Sequence, residues 1–578
     1  MTWPSTPIFL LLIGVCGVFG QQSVVSEWWQ HAVIYQIYPR TFKDSDGDGN
    51  GDLQGIISKL DHMQEMGVDA VWLSPIYPSP QVDGGYDISD YRGIDPIYGT
   101  MEDFEELVAK ANEKGMRIVM DLVPNHSSDQ HEWFQKSVKK EGKYADYYVW
   151  RDGRGEDGME PPTNWNSVFA GPAWTYHPER GQFYLHQFAK EQPDLNFENA
   201  DVVQEMKDII SFWLEKGISG FRVDAIRHLF EEYKDEPLSN NGDPPNSHGY
   251  YEHIYSADQD GTYDMVYQWR KLCDDFTAVN GGEPRILMTE AYTNVKEVMR
   301  YYGENDALDG AQFPFNFDLI GLNVETDARD IVLLVHTWFA YMPVGATPNW
   351  VLGNHDQHRI STRIGSRLKA NMMNMLTSVL PGVMVTYNGE EIGMENGEVT
   401  FEQGKDPSGL AAGPQGFDAI SRDFERTPYH WDDSDNAGFT ESGVEPWLPV
   451  SKKYKETNLA KEKVTKASVY QNYKALLELR NTSRALREGT WEIYSINKDG
   501  LLVIRKYPGE KSVVFVCHLG VTTKPFEIDL LAYGFQPTNQ VFDVIATSVE
   551  DKFSSTLELN NSKITLNPNE DYVLLERI

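Results

Sequence analysis

HAVIYQIY (residues 31–38), AVWL (70–73) and RIVMDLV (117–123) decide the fold, because they are short apolar runs separated by two segments with helical periodicity. Each run has the length and composition of a buried strand. Apolar residues recur every three or four positions in 56–66 and 104–111, and Gly67 and Gly115 stop these segments as glycines stop helices. The resulting order of strands and helices, joined by short turns, predicts a parallel sheet covered by helices.

The alternation of strands and helices resumes after a long interruption. Residues 128–199 are rich in Tyr, Trp, Asp, Gly and Pro and show weak periodicity, which predicts a domain inserted after the third strand. Later apolar runs predict strands four to eight in the first half of 220–228 and at 285–288, 307–312, 349–352 and 383–387. Eight such units predict an α/β protein with a (β/α)8 TIM barrel, and a large doubly wound sheet is the alternative.

The pattern changes again beyond residue 490. Alternating strands at 501–506, 512–518 and 571–575 predict a small antiparallel β domain. We therefore expect a barrel built from residues 21–127 and 200–489, an inserted domain at 128–199 and a C-terminal β domain at 490–578.

Composition and charge restrict the class of partner. The chain has 578 residues, a net charge of -36 and 71 aromatic residues (15 Trp, 30 Tyr and 26 Phe). Such an acidic surface repels nucleic acid phosphates and anionic membranes, so we expect no nucleic acid partner. A neutral substrate fits better, and aromatic rings suit the stacking of sugars. Nothing in the sequence indicates an oligomeric state.

The N-terminus carries the one long apolar run, IFLLLIGVCGVFG at residues 8–20. Its length is that of a signal-peptide core and is short for a membrane span. Residues 1–20 are therefore predicted to be a signal peptide and the protein to be secreted, with no membrane span after the signal; an uncleaved anchor is the alternative. Cys273 and Cys517 either pair or remain two free buried thiols, and the sequence leaves both possibilities open.

The stretch GFRVDAIRH, residues 220–228, places charges in an otherwise buried strand. Arg222 and Asp224 are two positions apart, so their side chains point to the same side of the strand. A cation beside a carboxylate lowers the pKa of that carboxylate, so we expect Asp224 to stay ionised and to suit a nucleophile. A structural salt bridge is the alternative.

Other predicted strands also end in polar residues. Asn125 and His126 follow strand three, Glu290 follows strand five, and Asp356 follows strand seven. Active sites of (β/α)8 barrels lie at these strand ends, so the polar groups are expected to converge. Two carboxylates on either side of a scissile bond are what glycoside hydrolysis requires. Asp224 is the predicted nucleophile, and Glu290, with no adjacent cation, is the predicted acid/base because its pKa is free to rise.

Six segments of this chain, GFRVDAIRH, DLVPNH, ILMTEAY, GNHDQHR, QPDLN and LPGVMVTYNGEEIGM, resemble the signature segments of the α-amylase-type glycoside hydrolases of family 13. More narrowly, the chain is similar to the α-glucosidase branch, and most closely to secreted insect maltases. The resemblance covers nearly everything after the signal. It implies retaining cleavage of α-glucosidic bonds, with Asp224 as nucleophile, Glu290 as acid/base and Asp356 as the carboxylate that stabilises the transition state.

The resemblance also implies a set of substrate-binding residues. It implies a closed pocket that admits only a chain end, with Asp87 at its floor paired to Arg422. A small residue directly after the nucleophile, here Ala225, resembles enzymes that prefer α-1,4 bonds and sucrose. The predicted substrate-binding residues are Tyr86, Asp87, His126, Phe188, Gln192, Arg222, His355 and Arg422.

An acidic loop lies near the N-terminus of the predicted barrel. Carboxylates alternate with small residues in DSDGDGNGD, residues 44–52, which forms an oxygen-rich loop suited to a hard cation. The loop resembles the calcium loop of the α-glucosidase branch, which implies a structural Ca²⁺; a solvated acidic turn is the alternative. The predicted metal ligands are Asp44, Asp46, Asp48, Asn50 (through its carbonyl) and Asp52.

Two further functions stay open. Transporter heavy chains resemble the same family but have lost catalytic carboxylates, whereas this chain keeps Asp224, Glu290 and Asp356. A sucrose isomerase or transglucosylase would differ from a hydrolase only in whether water or a sugar accepts the glucosyl group.

Overall fold

The computed structural model describes residues 26–305, 307–536, 540–559 and 562–577. The predicted signal peptide at residues 1–20 lies outside this part. The strands of the first two thirds of the chain are β1 (Val33–Ile37), β2 (Ala70–Leu73), β3 (Arg117–Leu122), β4 (Trp150–Arg151), β5 (Trp174–His177), β6 (Gln182–Leu185), β7 (Gly220–Val223), β8 (Ile286–Thr289), β9 (Phe313–Pro314), β10 (Asn349–Val351) and β11 (Val383–Tyr387).

Helices alternate with these strands. In chain order the α-helices are α1 (Leu53–Ile57), α2 (Leu60–Met66), α3 (Met101–Glu113), α4 (Glu132–Val138), α5 (Ala200–Glu215), α6 (Asp260–Asn280), α7 (Val295–Arg300), α8 (Ala328–Tyr341), α9 (Ile360–Arg363), α10 (Arg367–Val379), α11 (Pro407–Ala411), α12 (Gly413–Ile420), α13 (Leu459–Val464), α14 (Val469–Thr482) and α15 (Arg484–Arg487).

Helix α3 shows why the sequence forms these elements. Thr100 and Asp103 form a capping box at its start, each side chain accepting the other residue's backbone N–H. The side chains that it buries are Phe104, Leu107, Val108 and Ala111, which recur at helical spacing.

The central sheet is a nearly closed barrel. Its hydrogen-bonded order is β10-β11-β1-β2-β3-β7-β8-β9, and every neighbouring pair is parallel. Asn349 bridges the two end strands, because its amide donates to the carbonyl of Pro314 at 2.6 Å and its Oδ1 accepts the N–H of Asn316 at 2.8 Å. The (β/α)8 prediction is confirmed, and the open doubly wound sheet is excluded.

One predicted barrel strand was misplaced. The sixth strand was expected at residues 307–312 but is β9, Phe313–Pro314. The backbone of Gly310 and Ala311 turns back to bond the carbonyls of Tyr302 and Tyr301, so it is not available to a sheet partner. The ladder with β8 begins only at Phe313, opposite Met288.

The segment between β3 and α5 folds outside the barrel. It carries an antiparallel sheet in the order β4-β6-β5, with Trp165, Trp174 and Phe183 in its core. The long loop after β7 packs against it, since the Asn166 amide donates to the carbonyl of Ser247 at 2.8 Å. This segment therefore stands above the C-terminal ends of the barrel strands.

The C-terminal part is an antiparallel β structure, as predicted. Its main sheet has the order β12-β13-β14-β19-β16-β17, and β15 pairs with β18. Cys273 on α6 and Cys517 in this sheet are both free and buried. The strands are β12 (Thr490–Ile496), β13 (Gly500–Lys506), β14 (Val513–His518), β15 (Phe526–Asp529), β16 (Gln540–Ala546), β17 (Thr556–Leu559), β18 (Lys563–Leu566) and β19 (Asp571–Glu576).

Candidate active site

Arg222 on β7 connects three carboxylates at the C-terminal end of the barrel. Its Nη1 donates to Asp121 Oδ1 at 2.7 Å and to Asp224 Oδ1 at 2.6 Å, and its Nη2 lies 2.6 Å from Glu290 Oε1. The guanidinium is only 1% exposed, so solvent screens these ion pairs weakly. The backbone N–H of Ala225 donates to Glu290 Oε2 at 2.9 Å. The carboxylates predicted to act as nucleophile and acid/base are thus held by adjacent nitrogens of one group.

Burial dominates the pKa values of both carboxylates. It raises the pKa of Glu290 to about 8, with Arg222 opposing the shift and Asp224 adding to it. Burial also raises the pKa of Asp224 to about 7. Arg222 lowers this pKa by less than burial raises it, and the charges of Asp121 and Asp356 raise it further. The expectation that Arg222 lowers the pKa of Asp224 overall is therefore wrong, since one cation is shared among several carboxylates.

Asp356 sits in a different electrostatic environment after β10. Its Oδ1 accepts from Arg426 Nη2 at 2.6 Å and from Arg422 Nη1 at 3.1 Å, and its Oδ2 lies 3.3 Å from His355 Nε2. Burial alone would raise its pKa, but the charges of the two arginines hold the pKa of Asp356 below its usual range. This carboxylate stays ionised while its neighbours Asp224 and Glu290 share a single arginine.

The predicted substrate-binding residues on the inserted segment and on β3 come together. Gln192 Nε2 lies 3.1 Å from both His126 Nε2 and Asp83 Oδ2. The ring of Phe188 is 5.0 Å from that of His126, measured between centroids. Tyr86 stacks on His355 at 5.3 Å, and its hydroxyl is 2.7 Å from His355 Nε2. Burial lowers the pKa of His126 to about 3, so this ring is neutral.

The predicted pairing of Arg422 with Asp87 is wrong. Arg422 Nη2 lies 2.6 Å from Asp83 Oδ1, whereas the carboxylate of Asp87 accepts the backbone N–H groups of Val82 and Asp83 at 2.9 Å each. Asp87 is fully buried and fixes the turn that carries Asp83. The ion pair of Arg422 lies in the predicted segment, but Asp83, four positions before Asp87, is the aspartate that forms it.

Several residues of the site were absent from the predicted set. Asp121 completes the Arg222 network, and Asp83 and Asp406 bind Arg422, the latter at 2.5 Å. Phe169 lies under the Arg422 guanidinium, 4.9 Å from ring centroid to Cζ, and contacts Phe188 edge-on at 5.7 Å. Asp121 lies near the end of β3, so the pattern of polar residues at strand ends could have predicted it. Phe169 and Asp406 lie in irregular segments, where no periodicity in the sequence indicates a direction.

The acidic loop before α1 has a donor set that fits a hard cation. Ligand oxygens of Asp44, Asp46 and Asp48 lie within 4.8 Å of one another, and no salt bridge reaches these three groups within the described ranges. Burial and the charge of Asp48 raise the pKa of Asp46, as expected of crowded carboxylates. The carboxylate of Asp52 instead caps α1 by accepting the N–H of Gly55, and it also accepts hydrogen bonds from Ser45. The side chain of Asn50 accepts from Arg40 Nε at 2.9 Å, which leaves only its carbonyl for a metal.

Comparison with known proteins agrees with this geometry. The family described as Alpha amylase, catalytic domain, matches residues 36–489. Maltase A1 of Drosophila melanogaster is 45% identical over 579 residues, which cover 98% of each chain. Salivary alpha-glucosidase of Anopheles gambiae is 43% identical over 563 residues, 96% of this chain and 93% of the relative. The crystal structure of the alpha-glucosyl transfer enzyme XgtA superimposes with a TM-score of 0.83 at 35% identity, covering 96% of this chain and 100% of that one.

The chain therefore belongs to the α-amylase family of glycoside hydrolases, and the resemblance noted in its sequence motifs is confirmed. The predicted enzyme class, a glycoside hydrolase of the α-glucosidase type, is confirmed with it. In the part of the chain that the structure describes, no helix is both long and apolar enough to cross a membrane.

Proposed function

We propose that this protein is a secreted, exo-acting α-glucosidase. It releases glucose from the non-reducing ends of α-1,4-linked oligosaccharides and also cleaves sucrose. The observation that carries the proposal is the position of Arg422, which bonds Asp83 and Asp356 while Phe169 stacks on its guanidinium. This cluster of charges and rings closes one side of the pocket, so a bound glucose has no room for a further sugar on that side. The relatives named maltase and alpha-glucosidase support the substrate class.

The chemistry is a double displacement that retains the α configuration. Asp224 attacks the anomeric carbon, the glycosidic C–O bond breaks, and Glu290 gives its proton to the leaving oxygen. Water then loses a proton to Glu290 and attacks the same carbon, which releases α-glucose and frees Asp224. The short spacing required between nucleophile and acid, about 5–5.5 Å in retaining enzymes, is supported by their bonds to adjacent nitrogens of Arg222.

The other polar groups stabilise the transition state and bind the sugar. Asp356, held ionised by Arg422 and Arg426, offers its charge and its oxygens to the hydroxyls of the distorted ring. Tyr86, His126, Phe188, Gln192 and His355 line the same pocket. Ala225, which directly follows the nucleophile and is 9% exposed, leaves room for an α-1,4-linked or fructosyl leaving group.

Purified protein tests this proposal directly. Proton NMR during maltose hydrolysis should show α-glucose before mutarotation, and the substituted disaccharide 4-nitrophenyl α-maltoside should lose glucose from its non-reducing end only. Asp224→Asn should lower kcat by several orders of magnitude, whereas Asp275→Asn, which removes an exposed charge paired with Lys271 on α6, serves as the matched control. Initial release of β-glucose would contradict the retaining mechanism, and cleavage within maltoheptaose would contradict the exo action.

Transfer of glucose to a second sugar is a further candidate function. Tyr292 lies two positions after Glu290, is 41% exposed and stacks on Phe317 with ring centroids 4.3 Å apart. An aromatic pair beside the acid/base favours a stacked sugar over water as acceptor. Chromatography of the products formed from concentrated sucrose separates the two outcomes, because transfer yields isomers or trisaccharides and hydrolysis yields free glucose and fructose.

We also propose that the acidic loop holds a structural Ca²⁺. Asp44, Asp46 and Asp48, with the carbonyl of Asn50, would supply the hard oxygens that this ion requires, while Asp52, whose carboxylate bonds Ser45 and Gly55, would support the loop. The ion would neutralise the crowded carboxylates and fix the loop before α1. The two-carboxylate mechanism itself uses none of its chemistry.

Secretion is supported by the apolar run at residues 8–20 and by the relatives that are named salivary enzymes. Expression of the full chain in insect cells, followed by N-terminal sequencing of the protein in the medium, tests both the export and the cleavage after residue 20.

A further inference from the structure

Gln36 on β1 contacts the predicted substrate-binding histidine from the interior of the barrel. Its side chain is fully buried, and its Nε2 lies 2.8 Å from His355 Nδ1 and 3.3 Å from Ser74 Oγ. Its Oε1 has no hydrogen-bond partner among the described residues. The reverse orientation of the amide would turn both N–H groups away from Ser74 and His355, their partners in the structure. The observed orientation therefore satisfies more donors, and His355 Nδ1 is an acceptor.

An accepting Nδ1 determines where the ring carries its proton. A neutral imidazole has one N–H, so the proton of His355 is on Nε2. Burial lowers the pKa of His355 well below its usual value, which keeps the ring neutral. Nε2–H then points to the hydroxyl of Tyr86 at 2.7 Å, and that hydroxyl donates to Asp121 Oδ2 at 3.1 Å. Hydrogen bonds run in one direction from Gln36 to Asp121.

We propose that Gln36 is a positioning residue that sets the tautomer of His355 and, through Tyr86, the direction of the hydrogen bonds that end on Asp121. Asp121 shares Arg222 with Asp224 and Glu290, so the chain reaches the carboxylates that carry the proposed reaction. The tautomer itself is independent of the proposed function, and only the effect on catalysis rests on it.

The opposite tautomer would disturb two contacts. A lone pair on Nε2 would face Asp356 Oδ2 at 3.3 Å, where two acceptors repel each other. Tyr86 would turn its only proton toward His355, and Asp121 would lose one of its donors. Asp121 would then bond Arg222 more strongly, and the bonds of Arg222 to Asp224 and Glu290 would weaken. The charged and titratable groups that face His355 are Tyr38, Tyr86, Arg222, Asp356, Arg422 and Arg426.

Two substitutions test the proposal because they change the hydrogen bond in different ways. Gln36→Glu places an acceptor opposite Nδ1 and should move a proton there. Gln36→Met keeps the volume but removes the donor, so it should give a mixture of tautomers. Ser74→Ala removes the second partner of Gln36 without touching His355 and is the matched control. The ¹⁵N shifts of the His355 ring, assigned by their disappearance in His355→Asn, report the tautomer directly.

The expected results distinguish positioning from packing. In the wild type Nδ1 should have the shift of an unprotonated nitrogen, and in Gln36→Glu that of a protonated one. Both Gln36 variants should lose about 10- to 100-fold in kcat, an effect of the size that follows when the outer partners of metal-binding histidines are removed. Only Gln36→Glu should add an ionisation to the pH–rate profile, and Ser74→Ala should change neither property.

A proton on Nδ1 in the wild type, or an unchanged tautomer in both Gln36 variants, would overturn the inference. If Gln36→Glu does not fold, the ring shifts of Gln36→Met decide the matter alone. If the wild type hydrolyses no α-glucoside, the proposed function fails while the ¹⁵N measurement still tests the role of Gln36.

Discussion

Asp83→Asn is the substitution that tests the closed end of the pocket. The carboxylate of Asp83 is 3% exposed and lies 2.6 Å from Arg422 Nη2 and 3.1 Å from Gln192 Nε2. The amide removes the negative charge and presents an N–H group to one of these two donors. A hydrogen bond to a charged group contributes about 1.5–3 kcal/mol, and both bonds of Asp83 are of this kind, although the amide oxygen still accepts one of them more weakly. We therefore expect a loss of about 2–4 kcal/mol in transition-state stabilisation, or about 30- to 900-fold in kcat/KM.

The assay compares kcat/KM for maltose and 4-nitrophenyl α-glucoside in Asp83→Asn and Asp87→Asn. Asp87 is the matched control, because it is the same residue type in the same turn but accepts the backbone N–H groups of Val82 and Asp83 and does not pair with Arg422. Its substitution should lower the melting temperature and leave kcat/KM within about threefold, because the Oδ1 of asparagine can still accept a backbone N–H of this turn and Arg422 keeps its bond to Asp83. If Asp87→Asn lost as much activity as Asp83→Asn, or if Asp83→Asn kept full activity, the assignment of the pocket floor would be wrong.

Further predictions follow from the pKa values and from the acidic loop. Glu290→Gln should retain more activity on 4-nitrophenyl α-glucoside than on maltose, because nitrophenolate leaves without a proton. In the wild type we expect kcat/KM to fall above pH 8, where Glu290 loses its proton, and Glu290→Gln should abolish this fall. Burial raises the pKa of Asp87 from 3.8 to about 6, so the stability that its protonated form contributes is present at low pH and is lost as the pH rises through 6. The melting temperature of Asp87→Asn relative to wild type should therefore increase from pH 4.5 to 7.5, and a flat difference would contradict this. Chelation with EDTA should lower the melting temperature of the wild type and affect Asp46→Asn less, with kcat at 25 °C unchanged in the wild type.

The barrel was accessible from the sequence because its strands are buried on both sides. A continuous apolar run such as 383–387 indicates a buried strand whatever its neighbours are, and β11 has these bounds. Strand β9 is short and contains Pro314, which has no N–H for a ladder, so its signal in the sequence is weak. The pattern of the sequence favours a strand at 307–312 instead, but there the backbone of Gly310 and Ala311 bonds the preceding Tyr302 and Tyr301.

The convergence of Asp224, Glu290 and Asp356 was also accessible, because all three follow strands of one parallel sheet. Their positions depend only on strand order and on the common direction of the strand ends. The direction of the Asp83 and Asp87 side chains depends on the turn between them. Gly84 and Gly85 both have positive φ, 56° and 103°, and a Cβ on Gly84 would lie 2.6 Å from Tyr38 Oη. The conformation of this turn depends on the residues against which it packs, and no local sequence pattern indicates those residues.

The sequence predicts that Arg222 pairs with Asp224, but it does not predict the direction in which the pKa of Asp224 shifts. Arg222 next to Asp224 is visible in the sequence, and a pair of charges in isolation would lower the pKa of the carboxylate. In the structure the same guanidinium also binds Asp121 and Glu290, so burial outweighs its effect on each of them. Asp356, which is bonded by both Arg422 and Arg426, shows the opposite shift although it is also buried. The ratio of cations to carboxylates around each group, which is a property of the folded site, therefore decides which carboxylate holds a proton at neutral pH.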